Sequence, residues 1–418
     1  MKKSLLAAAL AAAFAPLAAQ ATDGYFQHGY GVKSQGMGGV GIALPQDALA
    51  AAANPAGMAF VGNRIDFGAT LFRPKRGTTI TGNGGGADGE YDGSGRSDFV
   101  IPEFGYNHML RPDLALGVSV YGNGGMNTSY TRPVPLLGTS NPGVDLTQLF
   151  ISPTVAWKLT DNHALGASLN FAYQRFKAEG LQNFDNAGFS SSPGNVTNRG
   201  YDSGTGWSVR LGWTGRVSSA ITLGATYQSK TKMDKFDKYR GLFAEQGGFD
   251  IPENYGVGVA LRATDKLTVA GDVQRINYGD VASVGHSLDV ACLLAGTCPL
   301  GASNGPGFGW RNTTAYKLGV SYAYSPQLTL RGGFNWLRQP IPSSQTFFNI
   351  LAPGVIEQHL TLGATWTLAG GGELSAGYMH AFKKTVNGNG SINAAFGGGE
   401  ANIRLKEDSF GIAYGWKM

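Results

Sequence analysis

Along most of this chain apolar and polar residues alternate one by one, the pattern of strands with one apolar and one polar face. Leu165, Ala167, Leu169, Phe171 and Tyr173 share one side of such a segment, against Gly166, Ser168, Asn170, Ala172 and Gln174. Leu328, Leu330, Gly332, Phe334 and Trp336 repeat it against Thr329, Arg331, Gly333 and Asn335, as do Leu360, Leu362, Ala364 and Trp366 against Thr361, Gly363, Thr365 and Thr367. A soluble sandwich alternates too. Here the large apolar residues keep to one face and small or polar ones to the other, with Tyr and Trp toward strand ends, as in strands between lipid and a polar lumen. Strands are predicted at 64–73, 98–109, 113–122, 148–160, 163–176, 206–218, 220–233, 251–264, 266–279, 312–325, 327–339, 355–369, 372–384 and 402–417, about fourteen in all.

The connections fall into two kinds. Arg111-Pro112, Asp161-Asn162, Ser218-Ser219, Thr264-Asp265, Ser325-Pro326 and Gly370-Gly371 read as tight turns, and they alternate with connections of about 15 to 30 residues. Short turns on one side and long loops on the other define a transmembrane antiparallel β-barrel of a bacterial outer membrane, with extracellular loops and both barrel ends in the periplasm. At the end of the chain Phe410, Ile412, Tyr414, Trp416 and Met418 share one face, resembling the C-terminal signal read by barrel assembly machinery, although that signal usually ends in Phe.

Composition narrows the picture. With 64 Gly, 11% aromatic and only 15% charged residues, the chain suits a sheet with an apolar band and many turns. Lys2 and Lys3, an apolar run from Leu5 to Leu17 and Ala19-Gln20-Ala21 have the order of a cleavable signal peptide at 1–21. No later apolar run approaches the roughly 18 residues of a spanning helix. A scattered formal charge of +5 gives no basis for nucleic-acid binding. Residues 22–61 are Gly-rich, then Ala-rich, and poor in charge, which fits compact backbone plugging the lumen of a barrel at 62–418 rather than a solvated tail.

Candidate chemistry is sparse. Cys292 and Cys298, in a turn-rich loop of an exported chain, are expected to form an exposed loop disulfide, and two thiolates alone leave a zinc site half filled. Gly36–Gly41 fits the dinucleotide fingerprint only formally, for no strand precedes it and no crossover unit follows. Pro102-Glu103-Phe104-Gly105, which resembles a porin constriction motif, lacks the long acidic loop around it and is set aside as chance. The six histidines have no catalytic Ser or Asp placed beside them, so neither an enzyme nor a cofactor or metal site is expected. Lys230, Lys232, Lys235, Lys238 and Arg240 lie interleaved with Phe236, Leu242 and Phe243, with Phe249 nearby. The charges suit a solvated face or a lipopolysaccharide contact, and the aromatics an external groove for an amphiphile with an anionic head.

Two motifs carry a resemblance. Asp47-Ala48 followed by Asn54-Pro55-Ala56-Gly57-Met58, after a Gly-rich segment and before a barrel, and Tyr121-Gly122-Asn123-Gly124-Gly125-Met126-Asn127-Thr128 in the third strand, resemble the FadL/TodX family of long-chain fatty acid and aromatic hydrocarbon transporters. The resemblance implies a fourteen-stranded monomeric barrel, an N-terminal hatch bearing the Asn-Pro-Ala motif, and a kinked third strand through which ligand leaves sideways into lipid. Met126-Asn127 stands where Leu-Ala is usual, and the hatch has one acidic residue, Asp47, where many members have two. Physically, Asn54 can cap a turn that begins at Pro55, and Gly122, Gly124 and Gly125 weaken a strand ladder. The expected function is passive uptake of hydrophobic compounds. A general aqueous porin, which would need an open, charged lumen, or a structural outer-membrane protein is the rival reading. A fatty acid would need a basic residue in its pocket, for which Arg64, Lys158, Arg210, Lys317 and Arg331 are the candidates.

Overall fold

The computed structural model describes residues 22–418, so the expected leader at 1–21 lies outside the described residues. Fourteen strands form the wall: β1 (Arg64–Thr81), β2 (Phe99–Arg111), β3 (Leu114–Ser129), β4 (Gly143–Lys158), β5 (His163–Glu179), β6 (Asp202–Arg216), β7 (Ile221–Gln228), β8 (Asn254–Arg262), β9 (Leu267–Ile276), β10 (Thr313–Ala323), β11 (Leu328–Leu337), β12 (Gln358–Thr367), β13 (Gly372–Val386) and β14 (Glu400–Lys417). Each pairs antiparallel with the next, and β14 returns to β1 along its whole length, from Arg64 opposite Lys417 to Thr81 opposite Glu400. Closure gives every strand of the wall a neighbour on both sides. Two further short strands, Gly89–Asp92 on β1 and Lys232–Met233 on β6, belong to the loops.

Outward positions carry the apolar face. Leu318 and Leu362 are 54% and 58% exposed, a surface that only lipid would cover. The sequence pattern understated β1 by eight residues, since Pro74-Lys75-Arg76 and the threonines after it pair with β14 beyond the apolar band and no longer alternate. It overstated β7, which stops at Gln228 instead of 233.

Strand height is uneven. The six strands β7 to β12 hold 8 to 11 residues, whereas β1, β3 to β6, β13 and β14 hold 15 to 18. At about 3.3 Å per residue the first group is roughly 26–36 Å long and the second roughly 50–60 Å, so the outer rim slopes from a high flank to a low one.

Residues 22–61 fold as short turns, including the helical turns Val32–Gln35, Pro55–Gly57 and Met58–Val61, and none of them is exposed. Their partners are spread around the wall. Asp66 on β1 accepts from the Ala48 amide at 2.9 Å, Ser119 on β3 donates to the Ala48 carbonyl at 2.8 Å, and Asp272 on β9 accepts from Gly41 and Ile42 at 2.7 and 3.0 Å. Thr361 on β12 accepts from Gly38 at 2.7 Å. Where the segment presses closest, the wall residue is glycine: a side chain on Gly166, Gly319 or Gly333 would run into Ala56, Met37 or Gly38 respectively. Much of the chain's glycine is thus spent on backbone lying against backbone.

Candidate functional site

The ladder between β2 and β3 is incomplete. It runs from Arg111 opposite Leu114 to Phe104 opposite Val120 and then ends. Above that point Phe99–Glu103 pairs with β1 but not with β3, and Tyr121–Ser129 pairs with β4 but not with β2. The wall closes again higher up, where Gly95 donates to the Ser129 carbonyl at 2.8 Å and Ser129 to that of Gly93 at 2.9 Å. The result is an unpaired gap in the ladder, called the window below. Its lower edge, six residues above Leu114, lies about 20 Å along a tilted strand, inside the roughly 25 Å apolar band of such barrels. Among the glycines singled out in sequence, the register of β3 with β4 slips between Gly122 and Gly124, leaving Asn123 as a bulge.

The inner side of the window is occupied by the start of the described chain. Gln27 donates its amide to the Asn123 carbonyl at 3.2 Å and its side-chain Nε2 to Gly122 at 2.7 Å, while Gly125 donates to the Tyr25 carbonyl at 2.9 Å. Tyr25–Gln27 thus takes part of the pairing that β2 leaves unmade. Gly124 permits this approach, because a side chain there would collide with the Tyr25 carbonyl. The Tyr278 hydroxyl accepts from the amides of Tyr25 and Phe26 at 3.2 and 3.3 Å, and Trp310 packs on Tyr25. Met126 lies just beyond, lining a small chamber with Phe72, Trp310, Leu405, Arg76 and Glu407.

Above the lumen the loops enclose a second space. Phe236, Phe243 and Phe249 are buried and Leu242 is half-buried, so the exposed groove expected from sequence is corrected to an enclosed cluster: these rings leave water by packing on Phe176 and on one another. The pocket among them is lined by Leu137, Val144, Phe176, Phe184, Phe243 and Phe308, with no charged side chain in its lining. Its free volume is about 40 Å³, against the roughly 150 Å³ that lets a cavity take up benzene. A ring-sized ligand therefore requires these aromatics to swing aside. Ring contacts run unbroken from pocket to window, Phe243 to Phe249 at 4.9 Å, Phe249 to Tyr25 at 6.2 Å and Tyr25 to Phe26 at 5.4 Å.

Each basic candidate contacts the N-terminal segment or an acid that anchors it. Arg64 pairs with Asp66 and Glu373 at 2.7 and 3.0 Å, and Glu373 also takes Lys33 at 2.5 Å. Arg210 donates to the Ala53 carbonyl at 3.2 Å, Lys317 to that of His28 at 2.8 Å, and Arg331 to Gln46 at 2.9 Å. Lys158 lies 5.4 Å from the centre of the Phe60 ring. Burial, with His359 beside it, pushes the His28 imidazole down to about 3, so it stacks on His359 as a neutral ring.

Asn54, Pro55, Ala56, Gly57 and Met58 sit against the wall. Asn54 caps the turn at Pro55 by accepting from the Ala56 amide at 3.1 Å, and its Nδ2 donates to Ile42, Trp213 and Thr214. Glu103, set aside in sequence, accepts from the Gly31 and Val32 amides at 3.2 and 3.0 Å and so fixes the turn at Val32. Its signal was one acidic residue among apolar neighbours on a strand. Cys292 and Cys298 lie with Cα atoms 5.5 Å apart, within bridging range, and Cys298 is buried rather than exposed. Of the lysine run, Lys230 and Lys238 donate to the carbonyls of Asp280 and Tyr201, both at 2.6 Å.

A closed fourteen-stranded barrel with an apolar exterior, an N-terminal segment bonded to several strands of its wall and a gap in the β2–β3 ladder has the architecture of an outer-membrane β-barrel. Residues 8–417 match the outer membrane protein transport protein family (OMPP1/FadL/TodX), and the chain belongs to that family. Its fold is shared with the toluene transporter TodX of Pseudomonas putida (18% identity, 94% of this chain and 99% of that one, TM-score 0.70). A FadL homologue from Pseudomonas aeruginosa (17%, 94% and 99%, 0.71) and the toluene transporter TbuX of Ralstonia pickettii (18%, 94% and 99%, 0.65) share it as well. A search of curated protein sequences found no match.

Proposed function

We propose that this protein is an outer-membrane channel for passive uptake of small uncharged hydrophobic compounds, monoaromatic hydrocarbons before long-chain fatty acids. One observation carries the choice of ligand. The loop pocket has no charged lining, and each basic candidate is engaged with residues 22–61 or with the acids that anchor them. A carboxylate carried into this pocket would lose its water without finding a partner, a far larger cost than for a hydrocarbon ring.

In this reading ligand enters between Phe243 and its neighbours, follows the aromatic chain to Tyr25 and Phe26, and leaves sideways through the window when Tyr25–Gln27 shifts off Gly122–Gly125. Residues 22–61 act as the hatch. An exit into lipid avoids exposing apolar ligand to water. The chain works as a monomer, exported by removal of 1–21 and inserted by the barrel assembly machinery, and needs no cofactor and no catalytic step.

Uptake of radiolabelled toluene and oleate by a strain lacking its own such channels tests this. Toluene uptake is expected to depend on the protein and to fall at least tenfold in Phe243→Asp, which places a charge in the pocket. Protein-dependent uptake of oleate alone would overturn the reading.

A further inference from the structure

On the low flank of the barrel three arginines converge on one outward groove of about 620 Å³, lined by Arg275, Arg311, Arg338, Tyr316 and Trp336 among others. Arg275 is an outward position at the top of β9, and Arg311 and Arg338 flank the tops of β10 and β11. The groove lining holds no acidic side chain, and none of the three guanidiniums makes an ion pair among the described residues. Only Arg275 is tethered by its head, donating to the Thr314 hydroxyl at 3.1 Å. Three like charges left without counter-charges, when acids are spent elsewhere on pairing, await an anion from outside the chain.

Height and surroundings say which anion. These strands are roughly 33–36 Å long, so their outer ends emerge at the headgroup level of the outer leaflet rather than far above it. Directly below the arginines Tyr316 and Trp336 pair side by side, ring centres 5.5 Å apart, and both are exposed. Aromatic rings at this level mark the membrane–water boundary. Below them Leu318 and Phe334 continue an exposed apolar face, the surface an acyl chain would cover. Phosphate above and acyl chain below is the order of groups in one amphiphile. We infer that this groove binds the phosphorylated headgroup of a lipopolysaccharide molecule, the arginines taking the lipid phosphates and the Tyr316–Trp336 face the chains beneath. The lysine run at 230–240 is not part of this groove.

The test uses the purified full barrel in detergent, probed with lipopolysaccharide, the same lipid stripped of its phosphates, phosphatidylglycerol and inorganic phosphate. Native mass spectrometry and the temperature of the heat-modifiable gel shift read binding. Wild type is expected to retain lipopolysaccharide through detergent exchange and to lose it at least tenfold more readily as R275Q/R311Q/R338Q, with partial recovery in R275K/R311K/R338K. Both variants should keep the folded gel mobility and toluene uptake of wild type, which separates failure here from failure of the uptake reading. Equal retention of the dephosphorylated lipid, equal retention by the glutamine variant, or saturation by inorganic phosphate or phosphatidylglycerol as readily as by lipopolysaccharide would each overturn the assignment.

Discussion

Asn54 Nδ2 lies 2.9 Å from the Trp213 carbonyl, joining the Asn-Pro-Ala turn to β6. The same nitrogen serves Ile42 at 2.7 Å, so one amide links two parts of the N-terminal segment and the wall. Asn54→Ala abandons buried groups at roughly 1–3 kcal/mol each, enough to raise an undocked fraction tenfold or more. Planar-bilayer recordings should show frequent ion-conducting openings in the variant where wild type is almost silent, and deletion of 22–58 should conduct continuously. Equal, low conductance in all three would reject residues 22–61 as the plug.

Glu373 neutralises Lys33 and Arg64, whose side chains are only 7% and 4% exposed. In Glu373→Gln, Arg64 keeps Asp66 but Lys33 loses its ion pair, a loss of roughly 3–5 kcal/mol when one partner of a buried pair is removed. The segment should loosen while the barrel persists. Trypsin added to the folded protein is expected to cleave after Lys33 far faster than in wild type, and an unchanged N-terminal fragment pattern would count against it.

Gly124→Val should form an intact barrel, since Val suits a ladder, yet its side chain cannot coexist with the Tyr25 carbonyl. Hydrogen exchange at the Gln27 and Gly125 amides, both paired across this contact, should accelerate by an order of magnitude or more with little change in β5 and β6. Protection equal to wild type would mean that Tyr25–Gln27 does not close the window. A triple variant with Val at Gly122, Gly124 and Gly125 should in addition lose most hydrophobic uptake, because regular pairing removes the bend.

Cys292 and Cys298 should resist alkylation in unfolded, unreduced protein and label after reduction. Their bridge closes a short local loop, so Cys298→Ser should leave the gel-shift temperature of the barrel within a few degrees of wild type. Labelling of both thiols before reduction sinks the bridge.

The wall was legible in sequence because lipid imposes a simple rule: every second residue must be apolar over the height of the membrane. The rule lapses where β1 rises beyond lipid at Pro74, and there the expected boundary failed. Glycines at 122, 124 and 125 marked a weak ladder, and the register slip lies among them. Their partner, Tyr25–Gln27, was illegible, since nothing local in a Tyr-Phe-Gln triplet says which distant backbone it meets. Burial of Phe236, Phe243 and Phe249 was missed for a related reason: whether loop aromatics face water or one another depends on loops far apart in the chain. Glu103 was passed over because a lone carboxylate on a strand acquires meaning only from the amides of Gly31 and Val32 across the lumen.

The sloping rim gives the molecule two unlike sides within the bilayer. In a ring of fourteen strands, β3 and β10 stand seven apart in either direction, so the window and the arginine groove face opposite neighbourhoods. A bulky glycolipid held on the low side would screen that side from other proteins in a crowded membrane and leave the opposite side bordering fluid lipid. If cargo leaves by the window, it would then enter lipid on the side away from the tethered glycolipid, with no need for the two sites to communicate.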